Sequence, residues 1–87
     1  MGLSHIVALT ELPPGGRGRI ASVRSGPGLR QRLESMGLRV GEMVAKISGL
    51  PLRGPVVIQV GGTRIALGHG MAEKVAVETG KTVISNQ

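Results

Sequence analysis

The chain has 87 residues and contains no cysteine, phenylalanine, tyrosine, tryptophan or aspartate. Without cysteine there can be no disulfide and no thiolate metal site, a usage that fits the cytosol. Without aromatic rings the core must be filled by Val, Ile, Leu, Met and Ala, the larger of which contribute roughly 1.5–3 kcal/mol each when fully buried. The same lack removes the stacking platform on which single-stranded nucleic acid is normally held. It also removes the aromatic groove that proline-rich ligands require. No apolar run approaches the roughly 18–20 residues of a membrane-spanning helix. The N-terminus shows no cation cluster ahead of a long apolar segment, so no secretory signal is expected and the expected location is the cytoplasm.

Eleven Lys and Arg stand against five acidic residues, giving a net charge of +6. Such a balance invites nucleic acid, an anionic membrane surface or an acidic protein as partner. Purely electrostatic nucleic-acid binding weakens steeply at physiological salt, and no specific nucleic acid is expected here. At this length the chain is one domain, burying only about 60–65% of its unfolded surface on folding. No repeat, linker or low-complexity segment divides it.

The stretch from Gly54 to Val77 organises the rest. It reads as a strand, a tight turn at Gly61-Gly62 and a second strand, where glycines can take the positive φ angles that a two-residue hairpin turn needs. The corner Gly68 to Lys74 suits a single helical turn, and a closing strand follows over Val75 to Glu78. Upstream, Met1 to Leu12 is a lead-in strand or an extended arm, and Pro13-Pro14-Gly15-Gly16 forbids regular structure. From Arg17 the run GRIASVRS is the first firm strand. Its inward candidates Ile20 and Val23 are three apart, so a bulge is expected. After the turn Ser25 to Gly28, the residues Leu29, Leu33 and Met36 share one face of a short helix, with Gly37 placed for a left-handed C-cap. A turn over Leu38 to Glu42 leads into a strand from Met43 to Ser48, and the loop GLPLRGP leads to the hairpin. Val83-Ile84 in the tail could extend the last strand or fray. Four or five short strands with one inserted helix make a mainly β protein, a small closed or nearly closed barrel, SH3-like or OB-like on pattern alone.

The ordered series Leu12, Gly15, Gly18, Ile20, the helix Leu29 to Met36, Gly37-Leu38, Gly41-Glu42-Met43-Val44, Gly54-Pro55-Val56, Gly61-Gly62, Ile65-Ala66-Leu67, Ala72 and Val75-Ala76-Val77 resembles the FeoA family. The resemblance covers about residues 8–78. It implies an SH3-like barrel of about five strands. It also implies a cytoplasmic accessory role in bacterial ferrous iron uptake, in which the chain would bind the cytosolic side of the FeoB-type permease and modulate its assembly, GTPase activity or transport. Because the same fold is fused to repressors of the diphtheria-toxin-repressor type, the resemblance offers an alternative: a metal-responsive regulatory barrel that binds a transition metal.

Among candidate sites, His5 and His69 are the only imidazoles and could serve a metal, but scattered glutamates offer few further ligands. Met71 reads as an apolar plug beneath its corner. Gly26-Pro27-Gly28 lacks the Lys and Ser/Thr of a phosphate loop, and GGRGR from Gly15 lacks the strand before it that a dinucleotide loop requires. No nucleophile elbow, no Asp to orient a histidine and no well-aimed carboxylate pair is present, so no catalysis is expected. A partner surface has better support. Leu50, Leu52 and Arg53 surround Pro51 outside any core periodicity, and Arg30 and Arg32 with nearby Arg39 could steer an acidic cytosolic surface or membrane headgroups. No cofactor is expected, and a homo-oligomer is compatible with the sequence.

Overall fold

The computed structural model describes residues 3–24, 26–50 and 53–81. Six strands form one antiparallel sheet: β1 (Leu3–Ala8), β2 (Arg17–Val23), β3 (Met43–Ser48), β4 (Val56–Val60), β5 (Thr63–Leu67) and β6 (Val75–Lys81). Two helices interrupt them, α1 (Pro27–Ser35) and α2 (His69–Glu73), with a 3-10 turn at Leu9–Glu11. The strands lie in the order β1-β6-β2-β3-β4-β5, so β1 and β5 are the edges. The lead-in segment is therefore a sixth strand, one more than the five expected. It pairs with β6 from Leu3↔Lys81 to Ala8↔Ala76, because the closing strand runs on past Glu78. Val83 and Ile84 lie outside the described residues.

Local chemistry accounts for each corner. Pro13 to Gly16 forms a turn in which the Gly16 N–H donates to the Pro13 carbonyl at 2.8 Å, with Gly15 at φ 87°. That is the third-position geometry of a type II turn, which glycine alone adopts freely, while Pro14 presets the position before it. The bulge in β2 lies between Ile20 and Ser22, where the register against β6 shifts. In the hairpin Val60 pairs with Thr63, leaving Gly61-Gly62 as the two-residue loop. Gly61 takes φ 59° but Gly62 does not adopt a positive φ, so the turn demands only its first glycine.

Helix α1 starts two residues earlier than its apolar spacing suggests, because Pro27 occupies the first turn, where its missing N–H costs nothing. It ends in a Schellman motif. The Leu38 N–H reaches the Leu33 carbonyl at 2.9 Å and the Gly37 N–H reaches that of Glu34 at 3.0 Å, with Gly37 at φ 96°. Leu33 and Leu38 are both buried, which supplies the apolar contact that accompanies this cap. Gly28, inside the helix, has open space where a Cβ would stand. Gly28→Ala is therefore expected to raise stability by about 0.5–1 kcal/mol in urea unfolding, by restricting the unfolded chain.

Apart from buried Thr10 and Lys46, the buried core of the described residues is aliphatic. Leu9, Ile20, Leu33, Val44, Ile58 and Val77 are among its fully buried members, and Leu29, Met36 and Met71 pack against it from the helices. Strand β4 shows strict alternation of buried Val56, Ile58 and Val60 with half-buried Val57 and Gln59.

Candidate functional site

All eight arginines are exposed. Among the described residues one ion pair forms, between Arg30 Nε and Glu34 Oε2 at 3.2 Å along the exposed face of α1. Arg30 is thus partly neutralised, whereas Arg32 has no ion-pair partner among the described residues. Arg39 is exposed in the turn after the Schellman cap, where the Glu42 N–H donates to its carbonyl at 3.0 Å. In the loop after β3, Leu50 is 61% exposed and Arg53 is exposed. Leu52 lies outside the described residues.

At least three surface hollows among the described residues are lined by other residues. One, of about 450 Å³, lies between Arg17, Arg19, Met43 and Glu78 over the glycine floor of Gly18 and Gly80. Arg19 leans across it to donate from Nη1 to the Gly41 carbonyl at 2.7 Å. The run GGRGR is, as expected, no dinucleotide loop but the end of a turn followed by the first residues of β2, which carries the exposed Arg17 and Arg19. The other two hollows, about 420 and 380 Å³, flank β1.

The residue that sequence reasoning missed is Lys46. Its side chain is fully buried, and Nζ donates to the Thr10 carbonyl at 2.9 Å. Its backbone exchanges hydrogen bonds with the Pro13–Gly16 turn, the Lys46 N–H to Gly16 at 2.8 Å and the Gly15 N–H to Lys46 at 2.7 Å. Burial pushes the Lys46 amine below the usual lysine range, since the charged form loses its water. The signal was present: Lys46 is two residues from inward Val44, and period-two alternation puts both on one face.

His5 is exposed on β1, opposite Thr79. His69 is half-buried at the start of α2, and its Nδ1 is buried with no hydrogen-bond partner among the described residues. No group of three or more His or Glu gathers as a metal site among the described residues. Met71 is partly buried against the core, as its role of apolar plug requires. No described helix is long and apolar enough to cross a membrane.

The model of the FeoA domain matches residues 7–79. A protein of Methanocaldococcus jannaschii, named as an Fe(2+) transport protein A, is 39% identical over 59 residues, covering 68% of this chain and 70% of its own length. A crystal structure of the iron uptake regulatory protein FeoA superposes with a TM-score of 0.79 at 38% identity, over 87% of this chain and 99% of that one. A zinc complex of the FeoA of Stenotrophomonas maltophilia, described as a prokaryotic SH3 domain protein, gives 0.69 at 33% identity, over 82% and 88%. The fold expectation therefore resolves to the SH3-like alternative, and the chain belongs to the FeoA family of ferrous iron transport accessory proteins, which are not enzymes.

Proposed function

We propose that this chain is a cytoplasmic accessory factor that binds the cytosolic side of the FeoB-type permease and modulates its assembly, GTPase activity or transport. The observation that carries the reading is Leu50, an apolar side chain left 61% exposed beside the exposed cation Arg53. Family membership supplies the iron uptake context. Exposed Arg32 and Arg39 provide the charge to steer an acidic surface or the headgroups around a permease, with Arg30 contributing less because Glu34 already faces it. The metal-responsive alternative has less support, since no group of three or more His or Glu gathers among the described residues.

The test is co-purification with the full permease under reducing conditions. Arg32→Glu and Leu50→Ser are each expected to reduce retention by about tenfold, the loss of one desolvated contact of roughly 1.4 kcal/mol, whereas Arg30→Glu has a smaller effect. Undiminished retention of both variants would move the contact elsewhere on the barrel. Absence of any association with the wild-type chain would overturn the partner assignment.

A further inference from the structure

We propose that β1 is a docking edge for an extended acidic peptide segment of a partner protein, which adds to the sheet as a seventh strand. This rests on the reading that the chain works by binding a partner, and it assigns that contact a place and a chemistry.

The open edge follows from hydrogen-bond parity. The Lys74 carbonyl accepts the Arg24 N–H at 2.7 Å, so residues 74, 76 and 78 of that chain segment direct their backbone groups toward β2 and residues 75, 77 and 79 direct theirs toward β1. Val7, opposite Val77, therefore spends its N–H and C=O on β6, while Ile6 and Ala8 turn theirs outward. The Ala8 N–H agrees, donating to Glu11 Oε1 at 3.0 Å instead of to the sheet. Glu11 closes the edge at Ala8 and leaves it open at Ile6 and Ser4. No described strand covers it.

Edge strands are normally blunted by lysine, proline or an inward charge, and the run LSHIVA carries no proline and no Lys, Arg, Asp or Glu. A hollow lies on each side of it. His5, Val7, Leu12 and Arg17 line the one of about 420 Å³, and Ile6, Ala8, Ser22 and Arg24 line the one of about 380 Å³. A strand laid along β1 would send successive side chains alternately into the two, which is how β-addition obtains selectivity from pockets and affinity from the backbone. Each hollow has an exposed arginine, Arg17 in one and Arg24 in the other, beside Glu11, which lines both and accepts the Ala8 N–H. With the hollows locally balanced, the net charge of +6 over the whole chain favours an acidic occupant and opposes a second copy of the chain.

The probes are two capped hexapeptides, alternating Glu-Val and alternating Lys-Val, titrated into the isotope-labelled chain without any permease. The Glu-Val peptide is expected to bind with a dissociation constant on the order of 0.1–1 mM and to slow Ile6 amide exchange at least about tenfold, while the Lys-Val peptide does neither. Ile6→Pro, which removes an outward N–H and no ladder donor, should abolish binding while Val77 stays protected, and Ile6→Ala, which also loses the side chain but keeps the N–H, should bind. The wild-type exchange measurement stands by itself if the proline variant fails to fold. Three results would each overturn the proposal: unchanged Ile6 exchange with the Glu-Val peptide, equal binding of both peptides, or Ile6 protection that falls on dilution of the chain alone and so reveals a second copy. Because the permease is absent, none of these depends on whether it binds.

Discussion

Gly18→Ala is expected to lower the unfolding temperature by roughly 15 °C, the equivalent of about 3 kcal/mol in a domain of this size. Gly18 is buried in β2, opposite Val44, and its φ needs nothing special. The obstruction is steric. A Cβ there would collide with Cγ1 of Val77 and stand 2.8 Å from the Glu78 carbonyl oxygen. Val77 is fully buried and β-branched, so it has little rotamer freedom with which to retreat, and the carbonyl belongs to the ladder between β2 and β6. Relief requires those strands to separate, which strains the pairing at the centre of the sheet. Against a total stability of about 4–13 kcal/mol for such a domain, the loss is a large share. Thermal unfolding followed by far-ultraviolet circular dichroism measures it, with Gly28→Ala as the control that moves the other way. An unfolding temperature within a few degrees of the wild type would show that β2 and β6 accommodate the methyl group.

Lys46→Met is expected to stabilise the fold by about 1–2 kcal/mol at pH 7, because a buried charge without a counter-ion among the described residues gives way to an apolar group of similar shape. The Thr10 carbonyl loses its donor, a cost of about 1 kcal/mol that limits the gain. The pH dependence is the sharper signature. Burial holds the Lys46 amine below its ordinary 10.5 in the folded state, so between the folded value and 10.5 the unfolded chain binds more protons. Below the folded value the amine is charged in both states and the desolvation penalty is complete. Stability then rises as pH climbs through the folded value toward 10.5, where the penalty disappears. Tyrosine and cysteine, which would also titrate in the alkaline range, are absent, and the comparison with Lys46→Met isolates the contribution of this amine from the other lysines. Urea unfolding at pH 7 and pH 10 should show the rise in the wild type and its loss in Lys46→Met. A flat wild-type profile, or a destabilised variant at pH 7, would contradict the account.

The candidate surface divides along the same physical line as the fold. Local signals in the sequence named the hairpin at Gly61-Gly62, the bulge after Ile20, the helix from its Leu29, Leu33 and Met36 spacing, and its stop at Gly37, because each depends on a few neighbouring residues and the φ angles they permit. An aliphatic core and a basic surface followed from composition alone. The tertiary structure decided what depends on distant pairing. Met1 to Leu12 could be an arm or a strand until β6 supplied a partner for Leu3 to Ala8, and that pairing made β1 an edge. Lys46 read as one residue of a strand until its neighbours placed it in the core beneath Thr10, thirty-six residues away in sequence. Arg30 and Arg32 looked equivalent until Glu34 closed on the first of them. The sequence by itself determined the elements, the material of the core and, through its ordered glycines and leucines, the FeoA family. Which strands form the edges of the described sheet, which cation is buried and which is paired were settled only by the folded chain, since they depend on contacts between residues that no local propensity brings together.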